Sequence, residues 1–130
     1  MSYFSVPGLI ADADISANQF ESVKMGTATD MKISKFAANT DSFLGVLQNK
    51  PSADGEPAEV AYIGVCKARL GGTVTRGDQI EPAADGEMVS ATEITDGGAA
   101  TVHVVGVALQ SGVDQDVVLV LLNGNQGNHS

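Results

Sequence analysis

The 130-residue sequence contains no tryptophan, a single cysteine, and only seven lysines and arginines against sixteen aspartates and glutamates. Each scarcity excludes something. Cys66 has no second cysteine to bond with, so stability must come from packing, and a chain of this length can bury a working core without a disulfide or a metal. The net charge is −9, and the densest basic pair is Lys67 and Arg69. Nucleic-acid binders group their cations to neutralise phosphates, so no nucleic-acid partner is expected. An acidic surface favours solubility and suppresses non-specific association. No unbroken apolar stretch is longer than Val117 to Leu122, far short of a bilayer span, and no membrane partner is expected. The start, Met1-Ser2-Tyr3-Phe4, lacks the basic and apolar regions of a signal peptide, so synthesis in a cytoplasm is expected.

Long amphipathic helices are missing too. What the chain has is fifteen glycines, four prolines and 43% hydrophobic residues, arranged as short apolar runs between Gly-, Asp- and Pro-containing turns. That rhythm predicts one all-β domain, a small β-barrel or sandwich. Residues 1–17 read as an extended N-terminal arm interrupted by Pro7-Gly8, residues 18–122 as the β domain, and residues 123–130 as a flexible polar tail. Glu21 to Met25 and Asp30 to Phe36 are expected strands, the second with Met31 and Ile33 alternating against Lys32 and Ser34. Glu59 to Leu70 is the strongest strand, with Cys66, Ala68 and Leu70 on one face, Lys67 and Arg69 on the other, and a kink or bulge at Gly64. Thr73 to Thr75, Met88 to Ala91, Thr101 to Leu109 and Asp116 to Leu122 complete the set.

Phe43 to Gln48 fits either a short helix capped by Thr40 or Asp41, or a strand. An internal echo bears on the choice. Phe43-Leu44-Gly45-Val46-Leu47-Gln48 resembles Val104-Val105-Gly106-Val107-Ala108-Leu109-Gln110, and each is followed by an acidic turn region and a β run. A true echo makes the first segment a strand and the chain a pair of similar hairpin units; common composition would produce the same match.

Several motifs have both a functional and a plain structural reading. Arg76-Gly77-Asp78 is an integrin-type tripeptide, but Gly and Asp at these positions also make a β-turn, and the turn is favoured. Asp12 with Asp14, and Asp114 with Asp116, have oxygen ligands for a hard cation without an EF-hand pattern around them, so solvated loops are expected and no metal is assigned. His103 and His129 have no zinc-ligand spacing. Asn128-His129-Ser130 is a glycosylation sequon at the extreme terminus. No nucleophile elbow or phosphate-binding loop is present, and Cys66 lies on an apolar face as a core thiol. No catalytic residue and no cofactor is assigned.

Three stretches carry a family resemblance: Gly71-Gly72-Thr73-Val74-Thr75-Arg76-Gly77-Asp78-Gln79-Ile80, then Val104-Val105-Gly106-Val107-Ala108-Leu109, then Val117-Val118-Leu119-Val120. In order and spacing, over roughly Asp30 to Leu122, they resemble the small capsid decoration (cement) proteins of tailed bacteriophages. The resemblance implies a non-enzymatic virion protein on the capsid exterior, with the major capsid protein and copies of itself as partners, in a homotrimer on the lattice. It implies stabilisation of the expanded shell. Residues 1–17 are the candidate capsid-binding arm, with Tyr3, Phe4, Val6, Leu9 and Ile10 as apolar anchors; the other reading of this segment is that it packs on its own domain. An alternative from another class is a receptor- or carbohydrate-binding module of a head or tail fibre. Six aromatic residues in all suit sugar stacking poorly.

Overall fold

The computed structural model describes residues 3–26, 30–37, 43–91 and 104–123. Its strands are β1 (Tyr3–Ser5), β2 (Ile10–Ala11), β3 (Ser22–Met25), β4 (Lys32–Lys35), β5 (Gly45–Leu47), β6 (Val60–Arg69), β7 (Gln79–Pro82), β8 (Met88–Ser90), β9 (Gly106–Ala108) and β10 (Val117–Asn123). One 3-10 turn, Ser16–Asn18, is the helical element among the described residues. The all-β expectation holds. The strands form one continuous sheet, ordered β2-β4-β3-β5-β6-β10-β9-β7-β8, with β1 added on β6 and Leu70, just after β6, bridged to Met88 of β8.

From β4 to β8 that order reads the same from both ends. Strands β4-β3-β5-β6 and β8-β7-β9-β10 are two copies of one unit, joined where β6 runs antiparallel to β10. Corresponding strands meeting antiparallel is the relation of an approximate two-fold axis. The copies agree residue by residue. Val23 faces Gly45 as Ile80 faces Gly106. Met25 faces Ile33 as Pro82 faces Met88. Val46 and Leu47 face Ala61 and Val60 as Val107 and Ala108 face Leu121 and Val120. Off-ladder bonds repeat as well: Leu47 N donates to Glu21 O as Ala108 N donates to Asp78 O, and Asp12 N donates to Ile33 O as Gly71 N donates to Met88 O. The segment Phe43 to Gln48 therefore contains a strand, Gly45–Leu47, and no helix, and the echo is structural.

Two glycines show why the repeat kept its signature. A Cβ on Gly45 would lie 2.4 Å from the Ala61 carbonyl oxygen, and one on Gly106 would lie 2.0 Å from that of Leu121. Both start a three-residue strand pressed onto a neighbouring backbone, which only glycine permits.

Two clusters of buried side chains form the core. One, inside the first unit, contains Leu9, Ala11, Ile15, Val23, Ile33, Leu47, Ala58 and Val60. The larger cluster collects the inward residues of the second unit (Ile80, Met88, Ala108, Val118, Val120, Leu122) with Cys66 and Ala68 of β6 and Leu70 just after it. It also takes in Phe36, Phe43, Val46 and Ala61 from the first unit. At β5 and the start of β6 the first unit is thus buried on both faces of its sheet. Each fully buried Val, Leu or Ile contributes about 1.5–3 kcal/mol, so these two clusters are the main source of stability.

The sequence reading differs from this fold in three places. The segment expected to be an arm is part of the sheet. Its β1 pairs with β6 (Phe4 opposite Ile63, Ser5 opposite Ala61) and its β2 pairs in parallel with β4. The boundary drawn at residue 17 therefore cuts through one folded unit. Thr73 to Thr75 is not a strand: Val74 makes an isolated bridge to Gly112, and the strand begins at Gln79. Gln79–Pro82 went unread because Ile80 is a lone large apolar residue between two polar ones, ending at a proline. His103, His129 and the 124–130 tail lie outside the described residues.

Candidate functional site

The five residues read as capsid anchors have separate fates. Leu9 is core, 4% exposed, because Ala58 N donates to its carbonyl and seats it in the first cluster. Val6 packs against the same cluster and donates its N–H to Val60 O. Tyr3 packs against the larger cluster, with its hydroxyl bonded to Glu59. Ile10 is half-buried in β2. Phe4 alone faces solvent, at 67% exposure, and it is the one aromatic side chain of the six that does. Leu9, Val6, Tyr3 and Ile10 hold the segment onto its own domain and leave Phe4 for another surface.

The Arg76-Gly77-Asp78 tripeptide is a turn with its polar groups engaged. Gly77 has φ of +92°, Asp78 Oδ2 accepts from Thr75 N at 3.0 Å and from Ser90 Oγ at 2.7 Å, and Gly77 N donates to Ala108 O. Those bonds hold the Asp78 carboxyl below its ordinary range. The corresponding turn of the first unit places Phe20 at φ of +69° with the same donation, Phe20 N to Leu47 O. The tripeptide is therefore the second copy of a structural turn.

The acidic pairs are likewise engaged. Asp14 Oδ1 accepts from Ser16 N and Oγ, which lowers its pKa, and Asp12 accepts from the Ser34 hydroxyl. Asp116 Oδ2 accepts from Val113 N, and Asp114 Oδ1 from Gln115 Nε2. Among the described residues no three His, Cys, Asp or Glu side chains converge in a way that fits a metal. A groove of about 450 Å³ runs beside Asp12, Asp14, Lys24, Ser34 and Lys35, where both charge signs alternate without a dominant ligand chemistry. Cys66 is fully buried, and burial pushes its thiol up to about 12, which keeps it protonated and unreactive. Among the described residues no helix is long and apolar enough to cross a membrane.

The seam between the units carries the buried charge. Glu21 and Glu87 are each 8% exposed. Glu21 accepts from Asn18 Nδ2 at 2.8 Å and lies 3.8 Å from Arg69 Nε, while Glu87 accepts from Gln115 Nε2 at 2.7 Å. Burial raises both carboxyls, with mutual repulsion adding to the Glu21 shift. Backbone bonds cross the same seam, Ser22 N to Gly86 O and Arg69 N to Phe20 O.

The outer face of the second unit is different in kind. Cross-strand partners share a face, so Phe4 lies beside Ile63, and Val65 beside Leu121, which in turn lies beside Val107. Sequence reading assigned Lys67 and Arg69 to this face correctly but did not single it out, because the final run Val117 to Leu122 shows no alternation and reads as buried on both sides. Its odd residues are partly exposed: Val117 is 38% and Leu121 40% exposed, and Leu119 is half-buried.

Comparison with known proteins adds the fold's relatives. No family model matches the chain, and no curated protein matches it. Among solved structures, the N base of the head fibre protein gp8.5 of bacteriophage phi29 superposes on it with a TM-score of 0.62. The match covers 98% of each chain at 18% sequence identity. The chain has the fold of a phage head protein, end to end. At that identity the likeness is one of architecture.

Proposed function

We propose that this chain is a structural, non-enzymatic protein of a tailed-phage particle that seats on the outer surface of the capsid and reinforces the expanded shell. The observation that carries the reading is the end-to-end likeness to a phage head-fibre base, over 98% of each chain. The ordered turns and engaged acidic pairs fit a protein that works through its surface, without a catalytic cleft. A ligand that binds the expanded lattice, and not the disassembled subunits, stabilises the lattice by mass action. Contacts to several subunits, or self-association as a trimer on the lattice, multiply that effect because later contacts are intramolecular.

The identity of the structural relative favours a second reading, a fibre base or receptor-binding module present in few copies. Carbohydrate binding is the weaker form of it, since Phe4 is the sole exposed aromatic. Quantitative mass spectrometry of purified particles separates the two. A copy number comparable to the major capsid protein is expected. A handful of copies per particle would favour the fibre reading, and absence from particles would overturn both.

A further inference from the structure

The internal repeat supplies its own control for what an uncovered face looks like. Val46 and Ala61 of the first unit correspond to Val107 and Leu121 of the second. Val46 and Ala61 are completely buried, in the larger cluster. Val107 is half-buried and Leu121 is 40% exposed. The same face of the same supersecondary unit is therefore covered in one copy and bare in the other. The bare face also extends along β6 and β1 through Val65, Ile63 and Phe4.

Charge is distributed to match. The chain carries sixteen carboxylates, yet the outward residues of β1, β6, β10 and β9 include none of them. They include Lys67, which is exposed, and Arg69. Lys67 Nζ lies 5.9 Å from the centre of the Phe20 ring, so its charge is held at the edge of the apolar stripe. An apolar stripe with a basic edge on a chain of net charge −9 fits a partner that is apolar at its middle and acidic at its rim. A like-on-like contact of two copies through this face would bring together two acidic chains that already repel, with no carboxylate on the strands of the face to meet Lys67.

Resting on the reading of the chain as a capsid-surface protein, we infer that the outward face of β1, β6, β10 and β9, centred on Phe4, Ile63, Val65, Leu121 and Val107 and edged by Lys67, is the surface that seats on the shell protein. Phe4 is its main anchor: an aromatic side chain held out from a strand that the sheet has fixed, so little ordering remains to oppose binding. The strand expected to be part of an extended capsid-binding arm is instead the rigid mount of one contact residue.

The test measures binding of the full chain to purified shells lacking it, by co-sedimentation across a concentration series and at two salt concentrations, alongside sedimentation of the protein alone. Phe4→Ser and Leu121→Thr are each expected to weaken binding at least tenfold while melting with the wild type. Lys67→Glu, at an exposed position and checked by melting beside the wild type, is expected to weaken binding severalfold and flatten its salt dependence. Met31→Asn, an exposed apolar site in the β3–β4 turn, is expected to bind as wild type. Wild-type binding with no loss in Phe4→Ser, Leu121→Thr and Lys67→Glu would overturn this face and leave the capsid assignment standing. Failure of the wild type to bind shells would overturn both. Loss of self-association in these variants with shell binding retained would give the face to a second copy and overturn the proposal.

Discussion

The two units have one backbone plan and opposite surroundings. In the first, Val23, Ile33, Leu47 and Val60 fill one cluster while Val46 and Ala61 of the same strands fill the other. In the second, Ile80, Met88, Ala108 and Val120 point into the core, and Val107, Leu119 and Leu121 point out. A sheet buried on both faces is a scaffold. A sheet buried on one face, with apolar residues on the other, is a scaffold with a surface to offer. Both units therefore contribute to the core, and the second also presents an apolar outer face, although both were built from one pattern of bonds.

The largest effects should fall on the repeat itself. Gly106→Ala and Gly45→Ala each drive a methyl group into a neighbouring carbonyl, and each should cost about 3 kcal/mol or more, read as a fall in the urea midpoint. If one were tolerated, the equivalence of the two strands would be broken there. Next come matched truncations in the core. Ile33→Ala and Met88→Ala, at corresponding and fully buried positions, should each cost about 2–5 kcal/mol. Removal of residues 1–10 belongs in the same class, because it takes away β1 and the buried Leu9; the shortened chain should melt well below the full one. A truncated chain as stable as the full one would restore the free arm.

A smaller effect should appear at the paired turns. Gly77→Ala places a side chain at φ of +92° and should cost about 1–2 kcal/mol by thermal melting, while Phe20, already at φ of +69°, bears that strain in the native protein. The smallest effect concerns the seam. Glu21 and Glu87 hold protons more tightly folded than unfolded, so the stability they contribute is full below the ordinary glutamate range and is lost as pH rises through their raised folded values. Asp14 and Asp78 act the other way: their contribution is present above the ordinary aspartate range and lost as pH falls through their lowered values. Glu87→Gln should therefore raise the Tm at neutral pH, with the gain shrinking towards pH 4.

Much of this was legible in the chain. Alternation gave β4 and the inward residues of β6, and the buried Cys66 followed from its neighbours Ala68 and Leu70. The Gly45 and Gly106 segments announced the repeat, since close backbone approach leaves a glycine in the sequence. What was not legible is tertiary. The register that joins Phe4 to Ile63, and Leu121 to both Val65 and Val107, brings together three regions distant in sequence (β1, β6 and the β9–β10 pair), and no local pattern encodes it. An apolar N-terminal segment likewise looks the same whether it will tether to a partner or pair with its own sheet.

The most direct test is a cryo-electron microscopy reconstruction of the intact particle at a resolution that separates strands. The account predicts the ten-stranded sheet on the outside of the shell, with Phe4, Leu121 and Lys67 facing the shell protein and the first unit turned away. Density for this chain inside the head or confined to the tail, or outside the head with Phe4 and Leu121 facing solvent, would contradict it.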